Sequence, residues 1–241
     1  MRKYNAIIIA GSWAAGKTTL ALLYGDQFKR DGIPFTFDSD RLQFEQGVLG
    51  DVTNYNKDQK RWEGPHSYLT KDGNPGSRQF MIRDGTIANQ AHMSMIAEIA
   101  QLTDGDPLRL VEYAIGPDIH EFENERREPP FLQAGRHLVD WLNQSGILDK
   151  VLLIEMISSL QLRFQRQRVR DSKTDQAAFE AFAGGGGGLN GELSGDNYVR
   201  FENDHNDARS FRIQAASIYR DIILPGIQGE GNQRSIERRR R

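Results

Sequence analysis

The sequence contains no cysteine, which excludes disulfide bonds, thiolate metal sites and cysteine nucleophiles. It has no apolar run near the ~20 residues that a membrane-spanning helix needs. Neither sign of charge dominates, because the formal net charge is −2, and the chain therefore has no overall basic character for nucleic acid. The amino terminus leads directly into the first predicted strand and has no secretory-signal pattern. We therefore expect a cytoplasmic protein that contacts no membrane.

The order of apolar segments predicts one α/β domain in this chain of 241 residues. Short apolar runs alternate with helical patterns, which is typical of a mostly parallel sheet. Five strands are predicted, at residues 5–10, 34–38, 108–114, 150–157 and 198–202. Helices are predicted at residues 17–30, 86–102, 131–144 and 207–224, and a further helix follows Ser158 and Ser159.

Three segments interrupt or follow this pattern. The polar stretch at residues 44–85 is long for a connection and predicts an insertion that binds something or caps the site. Residues 158–197 form a predicted lid, which is polar and glycine-rich from residue 171 and is therefore predicted to be mobile. The domain is predicted to span residues 1–227, and residues 228–241 are predicted to form a disordered basic tail.

The segment after the first predicted strand fits the phosphate-binding pattern G-x-x-x-x-G-K-S/T at every fixed position. A strand, a glycine loop and a helix N-terminus form an anion cradle, because backbone N–H groups and the positive helix end face the ligand. In this pattern Lys17 contacts the β- and γ-phosphates, and the Thr18 hydroxyl holds Mg²⁺. The predicted nucleotide-binding residues are Gly11, Ser12, Trp13, Ala14, Ala15, Gly16, Lys17, Thr18 and Thr19.

With these residues the chain resembles the P-loop NTPase superfamily, and further features resemble its small-molecule and nucleotide kinases. The resemblance covers roughly residues 4–42 and 108–224. It implies a three-layer α/β/α fold, with helices on both faces of a mostly parallel sheet, and a nucleoside triphosphate bound with Mg²⁺. The guanine-reading string Asn-Lys-x-Asp is absent, which favours ATP over GTP.

Two carboxylates follow the second predicted strand, at the sheet edge where open α/β sheets bind ligands. Asp38 and Asp40, followed by Arg41, resemble the acceptor-binding end of small P-loop kinases, whose acidic residue contacts the acceptor and often removes its proton. The sequence does not separate Asp38 from Asp40, and a solvated Asp-Ser-Asp turn is the structural alternative. The spacing from Asp38 to Arg41 is also that of kinases that act on polynucleotide 5′-hydroxyls.

A series of arginines follows the fourth predicted strand. Arg163, Arg166 and Arg170 fall at i, i+3 and i+7 and therefore share one face of the predicted helix. Their position is similar to the lid of nucleoside and nucleotide kinases, whose arginines stabilise charge on the transferring phosphoryl group. We favour Arg166 and Arg170 for this catalytic role, and the alternative is a solvated basic face.

The strand-borne aspartate of the family pattern is absent, and two glutamates are its nearest substitutes. Glu112 is a better candidate than Glu155 for a water-mediated Mg²⁺ contact, the alternative being a structural carboxylate. The string Phe-Glu-Asn-Asp at residues 201–204 resembles a turn in nucleotide and dephospho-coenzyme-A kinases whose backbone lies near the adenine. A simple helix cap is the alternative for this string.

Weaker signals lie in the insertion. Arg83 is a candidate for binding an acceptor phosphate, although Arg-Asp-Gly is also a common turn. Trp62 and His66 could stack a base, but an aromatic residue in a polar insertion is more often a packing anchor. The five histidines show no metal-ligand spacing.

The sequence as a whole predicts a kinase that moves the γ-phosphoryl group of ATP to a hydroxyl or phosphate of a nucleoside, a nucleotide or a related metabolite. One alternative acceptor is a polynucleotide end or a modified base, which the arginine-rich tail favours and the near-neutral charge disfavours. Another class of function is an ATP-driven switch that acts through a protein partner, and a third is nucleotide binding without turnover. The acceptor and the oligomeric state stay open.

Overall fold

Short strands alternate with helices throughout the described chain. The computed structural model describes residues 1–69, 80–83, 85–116, 135–183, 189, 193, 195–204 and 207–229. In chain order the strands are β1 (Ala6–Gly11), β2 (Phe35–Asp38), β3 (Asn54–Asn56), β4 (Arg61–Glu63), β5 (Ser67–Leu69), β6 (Phe80–Ile82), β7 (Leu108–Ala114), β8 (Val151–Ile157) and β9 (Tyr198–Glu202). The α-helices are α1 (Lys17–Arg30), α2 (Asp40–Asp51), α3 (Thr86–Ala100), α4 (Gly135–Gln144), α5 (Leu160–Arg170), α6 (Gln176–Ala183), α7 (Ala208–Ile218) and α8 (Leu224–Gln228).

The central sheet contains five strands in the order β2-β7-β1-β8-β9, and its strand pairs are parallel. Strand β1 lies in the middle and is buried along its whole length, as its isoleucine-rich run predicts. Gly11, at the carboxyl end of β1, is in register with Ala114 of β7 and Met156 of β8. The predicted mostly parallel five-stranded sheet is therefore confirmed, and its carboxyl edge brings the ends of three strands together.

Helices cover both faces of the central sheet. On one face Ile7 and Ile9 pack with residues of α1 and α7, and on the other Ile8 packs with residues of α3 and α4. Successive strand residues point to opposite faces, so a run of three isoleucines supplies both cores. Burying each isoleucine contributes roughly 1.5–3 kcal/mol. The three-layer α/β/α architecture implied by the sequence resemblance is thus confirmed.

A second sheet, of four antiparallel strands in the order β3-β4-β5-β6, lies between α2 and α3 in the chain. The sequence predicted an insertion here, but neither this sheet nor α2. Strands of three residues are too short to show an alternating pattern, which explains why they were missed. Leu69 of β5 packs with Val48 of α2 and Ile87 of α3, and these contacts attach the second sheet to the rest of the domain.

The structure adds a helix to one predicted segment near the carboxyl terminus and corrects the predicted end of the last helix. Part of the segment predicted to be glycine-rich and mobile is the helix α6, whereas residues 184–188 and the tail from residue 230 lie outside the described residues. Pro225 does not end the last helix: a π-helical turn (Tyr219–Ile223) follows α7, and Pro225 occupies the first turn of α8. The helical run thus continues through Pro225, and the wider π-helical turn lies just before this residue, which has no backbone N–H to donate. Among the described helices, none is long and apolar enough to cross a membrane.

Candidate active site

The phosphate loop (residues 11–16) joins β1 to α1 at the carboxyl edge of the sheet. Gly16 precedes α1 with φ +104°, a conformation that side chains with a Cβ rarely adopt, and it offers no side-chain cap. The carbonyl oxygen of Ser12 accepts hydrogen bonds from the Ala15 N–H and from the Lys17 ammonium, each at 3.3 Å. The first N–H groups of α1 have no intrahelical partner and, without a capping side chain, are available to an anion.

Lys17 is buried at the start of α1 and faces carboxylates from two other elements. Its side chain is 9% exposed, and Nζ lies 3.9 Å from Oδ2 of Asp40. Burial lowers the pKa of Lys17 from its ordinary value, the carboxylates of Asp40 and Glu112 oppose this, and the charges of Arg170 and Arg163 add to the lowering. A positive charge in such a poorly hydrated site would interact with phosphate more strongly than in water.

Glu112, near the carboxyl end of β7, faces Thr18 and Lys17. It is 2% exposed, and its Oε1 has no hydrogen-bond partner among the described residues. Burial raises the pKa of Glu112, and the Asp40 carboxylate raises it further, while a hydrogen bond with Thr18 and the charge of Lys17 oppose this rise. Hydroxyl and carboxylate oxygens are the ligands that Mg²⁺ prefers. The unsatisfied oxygen and its neighbouring hydroxyl thus fit the Mg²⁺ role that the sequence predicts for Glu112 and Thr18.

Glu155, the other glutamate considered from the sequence, has partners of its own. Its two carboxylate oxygens accept hydrogen bonds from the Leu189 N–H, at 2.7 Å, and from the Tyr198 hydroxyl. These contacts link β8 to β9 and to the segment before it. Such a carboxylate is a structural one.

The two aspartates that the sequence could not separate have different surroundings. Asp40 is the first residue of α2 and faces Lys17. Asp38, the last residue of β2, accepts a hydrogen bond from Arg109 Nε at 2.6 Å, and the same guanidinium binds Glu98 at 2.7 Å. Burial raises the pKa of Asp38, and the charge of Arg109 opposes this. Asp40 is therefore at the phosphate loop, whereas Asp38 belongs to an ion-pair network that joins β2, β7 and α3.

The arginines of α5 differ in what they contact. Arg163 is buried and donates to the Ser158 carbonyl at 3.0 Å. Arg166 donates to the Ser158 hydroxyl at 3.1 Å and, through Nη2, to the side-chain and main-chain oxygens of Asn203, each at 3.0 Å. Arg170 contributes more than Arg163 to the lowered pKa of Lys17, after burial as the main cause. Of the two arginines favoured from the sequence, Arg166 takes part in loop-to-loop contacts, and the charge of Arg170 reaches the phosphate loop.

A cavity of about 460 Å³ adjoins the phosphate loop. Its walls come from the loop and α1 (Ala14, Gly16, Thr19 and Leu23), from α5, from Asn203 after β9, and from the start of α7. This size suits a small organic ligand. The cavity therefore meets the loop at the point where the string at residues 201–204 led us to expect an adenine.

Helix α6 packs against the phosphate loop through aromatic residues. The ring centroids of Trp13 and Phe179 are 6.4 Å apart, and those of Phe179 and Phe164 of α5 are 5.5 Å apart. Ala14, which has φ +60°, is buried in the same cluster. The predicted lid region thus contacts the phosphate loop directly, through Trp13 at one of the variable positions of the motif.

The weaker candidates lie in the second sheet or on α2. Arg41 donates to Glu45 at 2.8 Å, and an Arg83 guanidinium nitrogen is 3.4 Å from Glu63. Trp62 is half-exposed and pairs edge-on with Tyr55 at 5.7 Å. Arg41 and Arg83 therefore have carboxylate partners, and Trp62 belongs to an exposed aromatic pair. The His66 backbone N–H donates to Asp51 at 3.0 Å, which places His66 in the turn after β4.

Sequence reasoning missed a group of buried polar atoms on α2 and α3. In the part of the chain that the structure describes, no hydrogen-bond partner is found for the two amide atoms of Gln43, Oδ1 of Asn89 and the two ring nitrogens of His92. His92 lies against Tyr113 with ring centroids 4.2 Å apart, and burial lowers its pKa to about 3. The helical pattern of α3 is the only signal the sequence offers here, and it does not distinguish a polar core position from an apolar one.

Comparison with known proteins agrees with the architecture. The sequence matches no protein-family model and no curated protein. Among solved structures, the chain is similar to a gluconokinase from Sinorhizobium meliloti 1021, with 13% identity over 95% of this chain and 100% of that one and a TM-score of 0.51. It is also similar to the Mycobacterium tuberculosis APS kinase in complex with AMPPNP and APS, with 14% identity over 93% and 99% of the two chains and a TM-score of 0.51. The chain therefore has a P-loop kinase-like fold.

Proposed function

We propose that this chain, which has the fold of small P-loop kinases, is an ATP- and Mg²⁺-dependent phosphotransferase. In this proposal it moves the γ-phosphoryl group to a hydroxyl or phosphate of a nucleoside, a nucleotide or a related small metabolite. Similar solved structures include a gluconokinase and an APS kinase that holds AMPPNP and APS, which is consistent with a nucleotide and a small acceptor.

The observation that carries the proposal is the approach of Asp40 to Lys17, 3.9 Å between Oδ2 and Nζ. In the phosphate-loop pattern the lysine contacts the β- and γ-phosphates. A carboxylate this close to the lysine is within reach of a hydroxyl that attacks the γ-phosphorus. It orients that hydroxyl and accepts its proton as the bond to phosphorus forms. We therefore assign the acceptor-side role to Asp40 rather than to Asp38.

Other residues take their roles from their positions around this pair. The loop from Gly11 to Thr19 binds the triphosphate, and Arg170 stabilises charge on the transferring group. Thr18 would hold Mg²⁺ through its hydroxyl and Glu112 through water, and the bound ion would neutralise charge on the triphosphate. Among the described residues, no group of three or more His, Cys, Asp or Glu side chains could hold a metal ion. In this proposal the nucleotide phosphates supply further ligands to Mg²⁺.

Lid closure would exclude water, which competes with the acceptor hydroxyl for the phosphoryl group. The contact of α6 with Trp13 supports this role for the predicted lid at residues 158–197. We also retain the predictions of a cytoplasmic location and of an adenine nucleotide. Nucleic acid is a less favoured acceptor, since Asp38 and Arg41, whose spacing suggested it, have Arg109 and Glu45 as partners.

The test is ATP consumption with Mg²⁺, measured alone and then with pooled acceptors. The pools are nucleosides, nucleoside monophosphates, common hydroxyl metabolites and 5′-hydroxyl oligonucleotides. We expect one small-molecule pool to stimulate turnover and to yield a phosphorylated product. Stimulation by the oligonucleotides alone would replace the small-molecule acceptor with a polynucleotide. ATP binding with no product in any pool would contradict the proposal and favour a switch that acts through a protein partner.

A further inference from the structure

Asn203, directly after β9, connects three loops at the carboxyl edge of the sheet. Its backbone N–H donates to the Ile157 carbonyl at the end of β8, at 2.7 Å. Its side-chain Nδ2 donates to the carbonyl of Ala15 in the phosphate loop, at 2.7 Å. Its Oδ1 accepts from Arg166 of α5 at 3.0 Å. The two side-chain partners fix the orientation of the amide, because a carbonyl only accepts and a guanidinium only donates.

The hydrogen bond to Ala15 has a consequence for the next N–H group. The carbonyl of Ala15 and the N–H of Gly16 belong to one peptide unit, which is trans. In a trans peptide these two groups point in opposite directions. Holding the carbonyl against Asn203 therefore directs the Gly16 N–H to the opposite side of the loop. That N–H is one of the donors that a phosphate loop offers to its ligand.

The packing of Gly16 shows how close this contact is. A Cβ added at Gly16 would lie 2.6 Å from Nδ2 of Asn203, which is closer than real Cβ contacts allow. Asn203 is 6% exposed and thus has little freedom to move aside. The second glycine of the motif is therefore required by a side chain 187 positions away, as well as by its own positive φ.

We propose that Asn203 is a positioning residue for the nucleotide. By holding the Ala15 carbonyl it directs the Gly16 N–H toward the phosphates, and by binding Arg166 it ties this arrangement to α5. This inference rests on the proposed binding of a nucleoside triphosphate. It adds a residue outside the motif to the elements that preorganise the phosphate loop.

The test replaces the donor and leaves the shape of the side chain. In Asn203→Asp a carboxylate oxygen faces the Ala15 carbonyl, while the acceptor for Arg166 is kept. The chain offers a matched control in Asn5, which is also 6% exposed, donates Nδ2 to the Leu102 carbonyl at 2.9 Å and accepts from Arg2 Nε at 2.9 Å. Asn5 lies at the opposite end of β1 from the phosphate loop, so Asn5→Asp makes the same chemical change away from the site.

The measured quantities are the Kd of AMPPNP with Mg²⁺ and the Kd of inorganic tripolyphosphate with Mg²⁺, by calorimetry on folded protein. For Asn203→Asp we expect both values to rise about tenfold or more, because a buried carbonyl has lost its donor. For Asn5→Asp we expect both Kd values to stay within about twofold of the wild type. The melting temperature falls in this variant and in Asn203→Asp alike, because each loses a buried hydrogen bond. Asn203→Ala removes the donor without adding a negative charge near the phosphates, and we expect it to raise both Kd values as well, which separates the lost donor from charge repulsion.

Every other result contradicts either the positioning role of Asn203 or the proposed function. Tight binding of both ligands by the folded Asn203 variants overturns the positioning role and leaves the proposed function intact. Equal weakening in the Asn5 and Asn203 variants makes the effect a general loss of stability and also overturns the role. Weaker AMPPNP binding with unchanged tripolyphosphate binding places the effect at the base instead of the phosphates. A wild type that binds neither ligand overturns the proposed function, and this inference with it.

Discussion

The phosphate loop and the α2–α3 arm (α2, α3 and the second sheet between them) differ in whether their buried polar groups have hydrogen-bond partners. In the loop, the carbonyls of Ser12 and Ala15 have donors at 3.3 and 2.7 Å. In the arm, both amide atoms of Gln43 and both ring nitrogens of His92 have no hydrogen-bond partner within the described ranges of the chain. An unsatisfied buried polar group costs about 1–3 kcal/mol. These loop carbonyls are therefore satisfied, whereas the arm keeps unsatisfied polar atoms at a cost to stability, a departure from local consistency that is typical of functional sites.

Replacing Lys17 is expected to have the largest effect in this comparison. Lys17→Ala should lower kcat by roughly a thousandfold, because it removes the charge that stabilises the transferring phosphoryl group. Phosphate transfer and nucleotide binding are the measurements. The matched control is Lys29→Ala on the same helix, where the lysine is exposed and pairs only with Asp26 in the described structure, at 3.8 Å. Near wild-type activity in Lys17→Ala would show that the loop is not a catalytic site.

Replacing Asp40 and Asp38 separately tests which of the two aspartates acts in phosphoryl transfer and which stabilises the fold. Asp40→Asn should lower kcat by about a hundredfold with little change in ATP affinity, because a general base contributes on that order. Asp38→Asn should keep kcat within about threefold but lower the free energy of unfolding by about 1–3 kcal/mol, because its hydrogen bond to Arg109 is weakened. Steady-state kinetics and urea unfolding measure the two effects. The reverse pattern would transfer the acceptor-side role to Asp38.

His92 tests whether a buried polar group of the arm makes the stability of the protein depend on pH. Its pKa is about 3 in the folded chain, against an ordinary value of 6.5, so between these values only the unfolded chain binds the proton. Stability should therefore fall as the pH drops below about 6.5, by about 2 kcal/mol at pH 5 from this group. His92→Phe keeps an aromatic ring against Tyr113 and should remove that part of the dependence. Urea unfolding at pH 7.5 and pH 5 compares the two proteins, and identical pH dependence would contradict the assignment.

The smallest expected effect concerns the metal. Glu112→Gln should raise the Mg²⁺ concentration needed for half-maximal activity by about tenfold, since outer contacts of this kind typically contribute that much to metal affinity. Glu155→Gln is the control, because Glu155 already binds Tyr198 and Leu189. Activity is titrated with Mg²⁺ at fixed ATP. An equal shift in both variants, or none in Glu112→Gln, would remove Glu112 from the metal site.

Some features of the arm were present in the sequence and were not recognised. Ser39 caps α2, and its hydroxyl accepts from the Leu42 N–H at 3.1 Å, which is an ordinary helix-start signal. It was overlooked because the Asp-Ser-Asp string was interpreted as a binding turn. The second sheet is different, since its strands of three residues carry no periodicity that a sequence pattern could show. Its position depends on Leu69 packing with Val48 and Ile87.

The sequence by itself determined the phosphate loop and the presence of the five central strands along the chain. A continuous motif between a buried strand and a helix contains its own geometry, because its glycine conformations and helix terminus depend on neighbours in the chain. Only the tertiary structure decided which aspartate faces Lys17, and which side chain holds the loop. Asn203 and Ala15 are 188 positions apart, and Arg109 reaches Asp38 across 71. Contacts over such separations arise from the packing of whole elements, so no local pattern of residue types specifies them.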